Sequence, residues 1–288
     1  MTICKGLSAI TLCVLLLPSA RAADGTWTNP ASGGLWSVAD HWSAGVVADG
    51  TNATATFNTL DVVADPLVVH LDSPRVLGNL TFGDTDTNSA AGWLVDNNGV
   101  PTNTLNLVGS GPIITVSDLG AKAATLNLAL VGTGRLTKAG AGRLVLGGTN
   151  TRTGPLVLDA GTVAFGVTPP AKLASLTFGA APGSFGSAQL DLSVASVTSS
   201  ALLAQHSNTV ASAITIGAGQ RLAVPGNVRV GTTNFSTRLD VAGAGVWTVE
   251  GPGVGGFSVS GRPLGTSLAT ATLTNLAAFR YVNPAGTF

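Results

Sequence analysis

The 288-residue chain carries 14 basic and 14 acidic side chains, so charged residues make up only 10% of it, whereas hydrophobic residues make up 45%. This balance excludes a disordered chain, which would be rich in charge, and it provides no basic stripe for binding nucleic acid. The 38 glycines among many Thr, Ser, Ala and Asn residues are typical of short strands separated by turns.

Residues 1–22 are predicted to be a cleaved secretory signal peptide. Lys5 supplies the basic region, residues 7–17 form the apolar region, and Ala20 and Ala22 fit the small-x-small pattern of cleavage sites. The alternative is a membrane anchor, but the apolar run is too short to span roughly 30 Å of hydrocarbon. We therefore expect an exported protein.

Both cysteines, Cys4 and Cys13, lie inside this leader. The mature chain would then hold no disulfide, thiolate nucleophile or cysteine metal site. Cleavage after Ala22 also removes Lys5 and Arg21, so that 14 − 2 = 12 basic residues face 14 acidic ones. No nucleic-acid partner is expected of such a surface.

Residues 23–95 form a Trp-rich N-terminal region, which we interpret as a cap. Trp27, Trp36 and Trp42 lie within a short stretch of it. Packed inside, they would close the open end of a stack of strands, which must be protected from pairing with other chains. Exposed, they could stack on sugar rings, so the three are also the candidate ligand-binding residues.

Residues 96–288 are predicted to be a region of β-helical repeats. Apolar and polar residues alternate between Gly, Asn or Asp turns, which indicates short strands with one face buried. The pattern L-x-x-L-T-F-G occurs at residues 77–83 and again at 173–179, and G-A-G precedes a strand at residues 140–142 and 243–245. Such recurrence is the sequence signature of a repeat architecture.

The best-formed repeat covers residues 131–166, where four short strands are divided by G-T-G, A-G-A-G, G-G-T-N and D-A-G-T. These gaps are too short for crossover helices, so a parallel sheet must arise by coiling, one turn stacked on the next. At roughly 20–30 residues per turn, the mature chain would make on the order of ten turns. A β-sandwich of short alternating strands is the alternative.

Residues 134–146, with N-T-R-T-G at 150–154 and D-A-G-T-V at 159–163, closely resemble the autotransporter-associated β-strand repeat. That family's pattern is approximately G-x-L-T-K-x-G-x-G-x-L-x-L, followed by N-T-Y-T-G and A-G-T-L. Arg152 stands where the family usually has Tyr, and Val163 is a conservative replacement of Leu. The N-terminal Trp-rich region is similar, more loosely, to the module that often precedes such repeats.

The resemblance implies an all-β, right-handed parallel β-helix of the passenger type, secreted or displayed on the bacterial cell surface in association with the outer membrane. Passengers usually precede an anchoring segment, and we recognise none after Gly251. We therefore expect a fragment or a short secreted relative, whose outer-membrane association would come only through a segment absent from this chain.

Residues that could carry chemistry are few. His41, His70 and His206 are the only histidines, and none stands in H-E-x-x-H or H-x-H spacing, so no zinc site or other cofactor is predicted. Asp84 and Asp86 form a D-T-D pair that could hold calcium, but capping of turns is the favoured interpretation.

Other acids are considered because β-helices can degrade polysaccharides. Asp61, Asp65 and Asp72 cluster near His70, whereas Asp191 and Asp240 stand apart, and glycoside hydrolysis needs two suitably spaced carboxylates.

The sequence predicts a non-enzymatic, secreted or surface-displayed structural or adhesive protein with no catalytic residue, metal or cofactor. Its partner would be an extracellular polysaccharide or a cell-surface molecule. A carbohydrate-binding module and a polysaccharide-degrading β-helix are the alternatives.

Overall fold

A computed structural model describes residues 22–88, 91–166, 169, 172–207, 211–231, 235–250, 256–259 and 268–282. Except for Ala22, the predicted signal peptide lies outside these residues. The strands are β1 (Gly25–Thr26), β2 (Gly34–Leu35), β3 (Thr54–Phe57), β4 (Leu67–His70), β5 (Arg75–Leu77), β6 (Asn79–Phe82), β7 (Trp93–Asp96), β8 (Thr104–Leu107), β9 (Ile113–Val116), β10 (Ala123–Asn127), β11 (Ala129–Val131), β12 (Leu136–Ala139), β13 (Arg143–Leu146), β14 (Leu156–Leu158), β15 (Gly161–Phe165), β16 (Leu176–Phe178), β17 (Ala188–Leu192), β18 (Val197–Thr198), β19 (Leu202–Ala204), β20 (Ser212–Ile216), β21 (Arg221–Val224), β22 (Val228–Val230), β23 (Thr237–Ala242), β24 (Val246–Val249), β25 (Phe257–Val259), β26 (Ala269–Thr274) and β27 (Ala278–Tyr281).

These strands wind into a parallel β-helix of ten turns. Sheet A contains ten strands in the order β1-β3-β6-β9-β12-β14-β16-β19-β22-β25, and sheet B contains the ten strands that follow them, β2-β4-β7-β10-β13-β15-β17-β20-β23-β26. A third side is built from β5-β8-β11 and, farther along, from β18-β21-β24-β27.

Every described pairing between these strands is parallel. The predicted β-helix and its approximate number of turns are therefore confirmed, and the β-sandwich alternative is wrong.

Inward-facing side chains stack in columns from turn to turn. In sheet A, Leu136 is in register with Leu156, Leu156 with Leu176, and Leu176 with Leu202, and all four are at most 3% exposed. The cause is the alternation in the sequence, because every second residue of a strand points to the same face. Each buried leucine stabilises the coil by about 1.5–3 kcal/mol relative to an exposed one.

The turns differ in length. Leu136, Leu156 and Leu176 succeed one another in register at short and equal spacing along the chain. By contrast, Asn79 meets its partner in the next turn only at Ile113, so that turn is much longer. Along the short turns the described residues form no regular strand on the third side. That side continues there as isolated parallel bridges, Leu130 with Asn150 and Leu173 with Ser199. Residues 136–176 are thus the tightest part of the coil.

The stack is continuous across the predicted boundary at residue 95, because β7 pairs with β4 on one side and β10 on the other. The division into an N-terminal region and a repeat region stays a prediction. Among the residues described, none belongs to a helix that is long and apolar enough to cross a membrane. Apart from strands and turns, the described chain contains the short 3-10 turns Ala39–His41 and Ser43–Gly45.

Candidate functional site

The predicted ligand-binding residues Trp27, Trp36 and Trp42 form one buried cluster at the N-terminal end of the coil. Trp27 and Trp36 are 0% exposed and Trp42 is 2% exposed. The Trp42 ring centroid lies 5.2 Å from that of Trp27 and 5.0 Å from that of Trp36, and Phe57 of the second turn packs against all three. Each indole N–H donates to a backbone carbonyl.

This arrangement leaves no indole face open to a sugar ring. The 3-10 turns Ala39–His41 and Ser43–Gly45 flank Trp42, which forms an antiparallel bridge with Trp27. An antiparallel bridge and a buried aromatic cluster are features that protect the end of a stack. The carbohydrate-binding role of these tryptophans stays a prediction, and as folded they offer no exposed ring to support it.

The acids near His70 do not converge on one point. Asp65 binds Lys122 and accepts a hydrogen bond from the Gly92 N–H, which lowers its pKa. Asp72 instead accepts hydrogen bonds from Ser37, and His70 itself lies 2.7 Å from Asp96. Among the described residues, no three His, Cys, Asp or Glu side chains are grouped as a metal site would require.

The D-T-D pair caps turns. Asp84 accepts hydrogen bonds from the backbone N–H groups of Val62, Asp86 and Ala91 at 3.0–3.2 Å. Asp86 in turn accepts one from Asn88 at 2.9 Å. The structure therefore agrees with the favoured interpretation, in which these acids cap turns through side-chain-to-backbone hydrogen bonds.

Asp191 and Asp240 both lie on the outer face of sheet B, but they do not form a catalytic pair. Asp191 binds Arg143 at 2.6 Å, and Asp240 binds Arg238 at 2.8 Å. Two turns separate them, because Asp191 is in register with Thr215 of β20 and Asp240 with Ala213 of that same strand.

Lys138 occupies a position in an otherwise apolar column of the core. It is in register with Ile114 on one side and Leu158 on the other, and it is 0% exposed. Its ammonium Nζ donates to the carbonyl oxygens of Ala139 at 2.8 Å, Gly140 at 2.7 Å and Ala160 at 3.0 Å. Burial lowers its pKa to about 8.

These three carbonyls lie at the corners of two successive turns, so a single lysine joins the two corners from inside. This contact gives the lysine a structural role, because a buried cation must find hydrogen-bond partners.

Arg152 joins turns in a similar way on the third side. The residue is only 3% exposed, and its guanidinium donates to the carbonyl oxygens of Val131 and Gly134 in the turn before. Asn150 accepts a hydrogen bond from the Arg152 N–H and so holds the local turn. Burial lowers the pKa of the guanidinium. Lys138 and Arg152 thus each connect neighbouring turns through side-chain hydrogen bonds to backbone carbonyls where the coil is tightest.

Residues 136–165 match the model of a protein family described as the passenger-associated-transport-repeat. The segment is similar to such a repeat and is called the repeat below. It extends from β12 to β15, or about one and a half turns of the coil, and includes Lys138 and Arg152. The resemblance seen in the sequence is thereby confirmed.

The chain is also 33% identical over 143 residues to the adhesin BmaC autotransporter of Brucella suis biovar 1 (strain 1330). The aligned part makes up 50% of this chain and 4% of that adhesin. No solved structure matches the chain significantly. Both comparisons thus liken parts of this chain to autotransporter passengers.

The repeat coincides with the tightest corners between sheets A and B. Only residues 140–142 separate β12 from β13, and only Asp159 and Ala160 separate β14 from β15. Glycine permits this closeness, since a Cβ on Gly142 would lie 1.9 Å from the carbonyl oxygen of Ser117. The repeat is therefore a compact piece of backbone held by very close stacking.

Two features of the structure were not predicted from the sequence. Lys138 follows Leu136 by two positions, and this spacing alone places both side chains on the inner face, so its burial could have been predicted. Phe185 is 79% exposed beside a surface groove, and it lies in a loop of small residues where no sequence pattern marks it.

Proposed function

We propose that the chain is a non-enzymatic adhesive passenger module, secreted or displayed at the bacterial cell surface. The proposal rests on the match of residues 136–165 to the passenger-associated-transport-repeat. It is supported by the 33% identity over 143 residues between this chain and an autotransporter adhesin. The partner would be an extracellular polysaccharide or a molecule of a cell surface. Neither nucleic acid nor a cofactor is part of the proposal.

The architecture suits presentation of a surface. Ten turns at about 4.8 Å spacing give a stack on the order of 40–50 Å long, with three faces whose outer positions are free to vary. Because each turn contacts mainly its neighbours, outer side chains and corner loops can change without disturbing the inner columns. Adhesion would use these outer positions.

The described acids support a role other than catalysis. A hydrolase of this fold needs two carboxylates flanking a glycosidic bond, free to move protons. Here the Asp84 carboxylate accepts hydrogen bonds from backbone N–H groups, and Asp191 and Asp240 each form a salt bridge with an arginine. These three carboxylates therefore give the polysaccharide-degrading alternative no support.

Adhesion of the purified chain to bacterial and animal cell surfaces and to polysaccharide-coated plates tests the proposal. We expect saturable binding by the wild-type chain. Binding should be lost in Leu144→Asp, which disrupts the coil, and kept in Val145→Thr, which changes an outer position of the same strand. Absence of binding to every surface, or the release of reducing or unsaturated ends from a polysaccharide panel, would contradict it.

A further inference from the structure

The connection between sheets A and B becomes much longer after the repeat. The two short corners of the repeat are followed by the loop of residues 179–187, which joins β16 to β17 in the seventh turn. On the other side, the fourth turn uses residues 117–122 at the same corner. The repeat therefore lies at the bottom of a notch, and the 179–187 loop forms the wall on its C-terminal side.

Backbone contacts hold the wall between the sixth turn, which belongs to the repeat, and the eighth turn. A Cβ on Gly186 would lie 1.8 Å from the carbonyl oxygen of Asp159, so the loop backbone rests directly on the sixth turn. The Gly183 N–H donates to the carbonyl oxygen of Gln205 at 2.8 Å, and the Ser184 carbonyl accepts from the Ser207 N–H at 3.0 Å. These bonds fix the position of Phe185 beside them.

A groove of about 380 Å³ lies between this wall and the repeat. Ala160 and Thr162 of the repeat line one side, and Phe185, Ser187 and Gln189 line the other. Phe185 is 79% exposed, although an aromatic side chain normally contributes most when buried. An exposed large apolar ring at the edge of a concave surface is characteristic of a binding site.

The polar groups of the groove are uncharged. The Thr162 hydroxyl donates to the Gln189 amide oxygen at 3.5 Å, and the Gln189 amide N–H donates to the Thr215 hydroxyl at 3.3 Å. Because both hydrogen bonds are long and therefore weak, these groups can exchange them for hydrogen bonds to a ligand. The nearby Arg143 is held by Asp191, so its charge is neutralised on the protein itself. An anionic ligand would find no free cation among the residues that line this groove.

We infer that the groove binds a neutral saccharide, with one sugar ring stacked on Phe185 and its hydroxyls bonded to Gln189 and Thr162. An apolar ring face beside hydroxyl and amide groups matches a sugar, which has C–H groups on its faces and hydroxyls around its edge. The inference rests on the adhesive function proposed above, and it places ligand binding at the repeat instead of at the buried tryptophans.

Binding of the whole chain to an array of neutral and acidic glycans, followed by titration with the best neutral one, tests the inference. Phe185→Ala should weaken binding at least tenfold, and Phe185→Trp should retain it. Val63→Ala, which shortens an equally exposed apolar side chain in the second turn, should leave affinity unchanged. Thermal unfolding of each variant should match the wild type, because an exposed ring contributes little to the fold.

The outcomes separate this inference from the adhesive function. If the chain adheres to cells but binds no neutral glycan, or if Phe185→Ala binds glycan as well as the wild type, the saccharide site is wrong and adhesion stands. Adhesion that needs Phe185 yet survives removal of cell-surface glycans would show a protein-docking groove and overturn the inference. Glycan binding without adhesion to any surface would refute the adhesive function alone.

Discussion

Arg143 of β13 binds Asp191 of β17 at 2.6 Å, although strand β15 lies between them. The pair therefore connects three successive turns on the outer face of sheet B. Ala164 is the residue of β15 in register with Asp191. It faces outward yet is only 4% exposed, as expected if the Arg143 side chain passes above it. Burial raises the pKa of Asp191, but hydrogen bonds from Arg143 and Ser193 outweigh that effect and hold it below its ordinary value.

A double-mutant cycle of Arg143→Met and Asp191→Asn should show a coupling of about 1 kcal/mol in the free energy of unfolding, measured by denaturant titration. Half-buried partners are screened less than surface ones, so this coupling should exceed that of an exposed pair. Arg238 and Asp240, which pair within β23, provide that comparison. Equal couplings for the two pairs would contradict the expectation.

Lys138 provides a second test, because its three carbonyl partners lie inside the coil. Lys138→Met keeps the apolar stem but leaves these oxygens without their donor. Each unsatisfied buried acceptor costs about 1–3 kcal/mol, offset in part by the relief of burying a charge, so we expect a net loss of about 2–4 kcal/mol in denaturant unfolding. Lys172→Met, at an exposed lysine, should change stability by less than about 0.5 kcal/mol.

The same residue predicts a dependence on alkaline pH. Burial lowers the pKa of Lys138 to about 8, whereas in the unfolded chain it returns to its ordinary value near 10.5. Between these values the unfolded chain binds more protons, so the wild type should gain stability relative to Lys138→Met as pH rises from 8 towards 10. The gain should be about 1–2 kcal/mol by pH 9.5. Parallel stability curves for the two proteins would contradict the lowered pKa.

The inner columns make a fourth prediction. Leu144 is 1% exposed and is in register with Ala124 and Val163, whereas its neighbour Val145 points outward. Leu144→Asp should lower the free energy of unfolding by at least about 4 kcal/mol, since it removes a buried leucine and adds an unpaired carboxylate. Val145→Asp makes the same chemical change on the outer face, and should cost less than about 1 kcal/mol. Comparable melting temperatures for the two variants would show that the strand is turned the other way.

Much of the fold could be predicted from sequence, because the internal repeats favour a coil over a β-sandwich, and gaps too short for helices mean that parallel strands can pair only by coiling. The alternation at Leu136, Leu144 and Leu156 identifies inner columns directly. Turn lengths could not be predicted in the same way, since a corner loop of any length returns the chain to the same sheet. The interruption of the third side depends on such lengths, and so it required coordinates.

The candidate groove could not be predicted for a related reason. Phe185 and Thr162 are distant in the sequence and become neighbours only because the seventh turn lies on the sixth. Trp27, Trp36 and Trp42 attracted attention because tryptophan is common in sugar sites, but composition cannot tell a buried ring from an exposed one. Short-range patterns describe each turn, whereas the outer surface depends on which turns come together.

His206 provides a test at acid pH. Its Nε2 donates to the carbonyl oxygen of Asp159 two turns earlier, and its Nδ1 accepts from the Ser212 hydroxyl, both at 2.9 Å. The ring is fully buried, and burial lowers its pKa in spite of the nearby Asp159.

Because the folded pKa is lowered, the unfolded chain takes up a proton first as pH falls below about 6.5, and the stability due to His206 is lost across that range. One proton can change the free energy of unfolding by at most about 1.4 kcal/mol per pH unit, so the loss should stay below that slope. His206→Gln cannot titrate but can still donate to Asp159, so the difference in unfolding free energy between the wild type and this variant should shrink from pH 7.5 to pH 5. A difference that stays constant would mean that His206 is as easily protonated in the folded coil as in the unfolded chain.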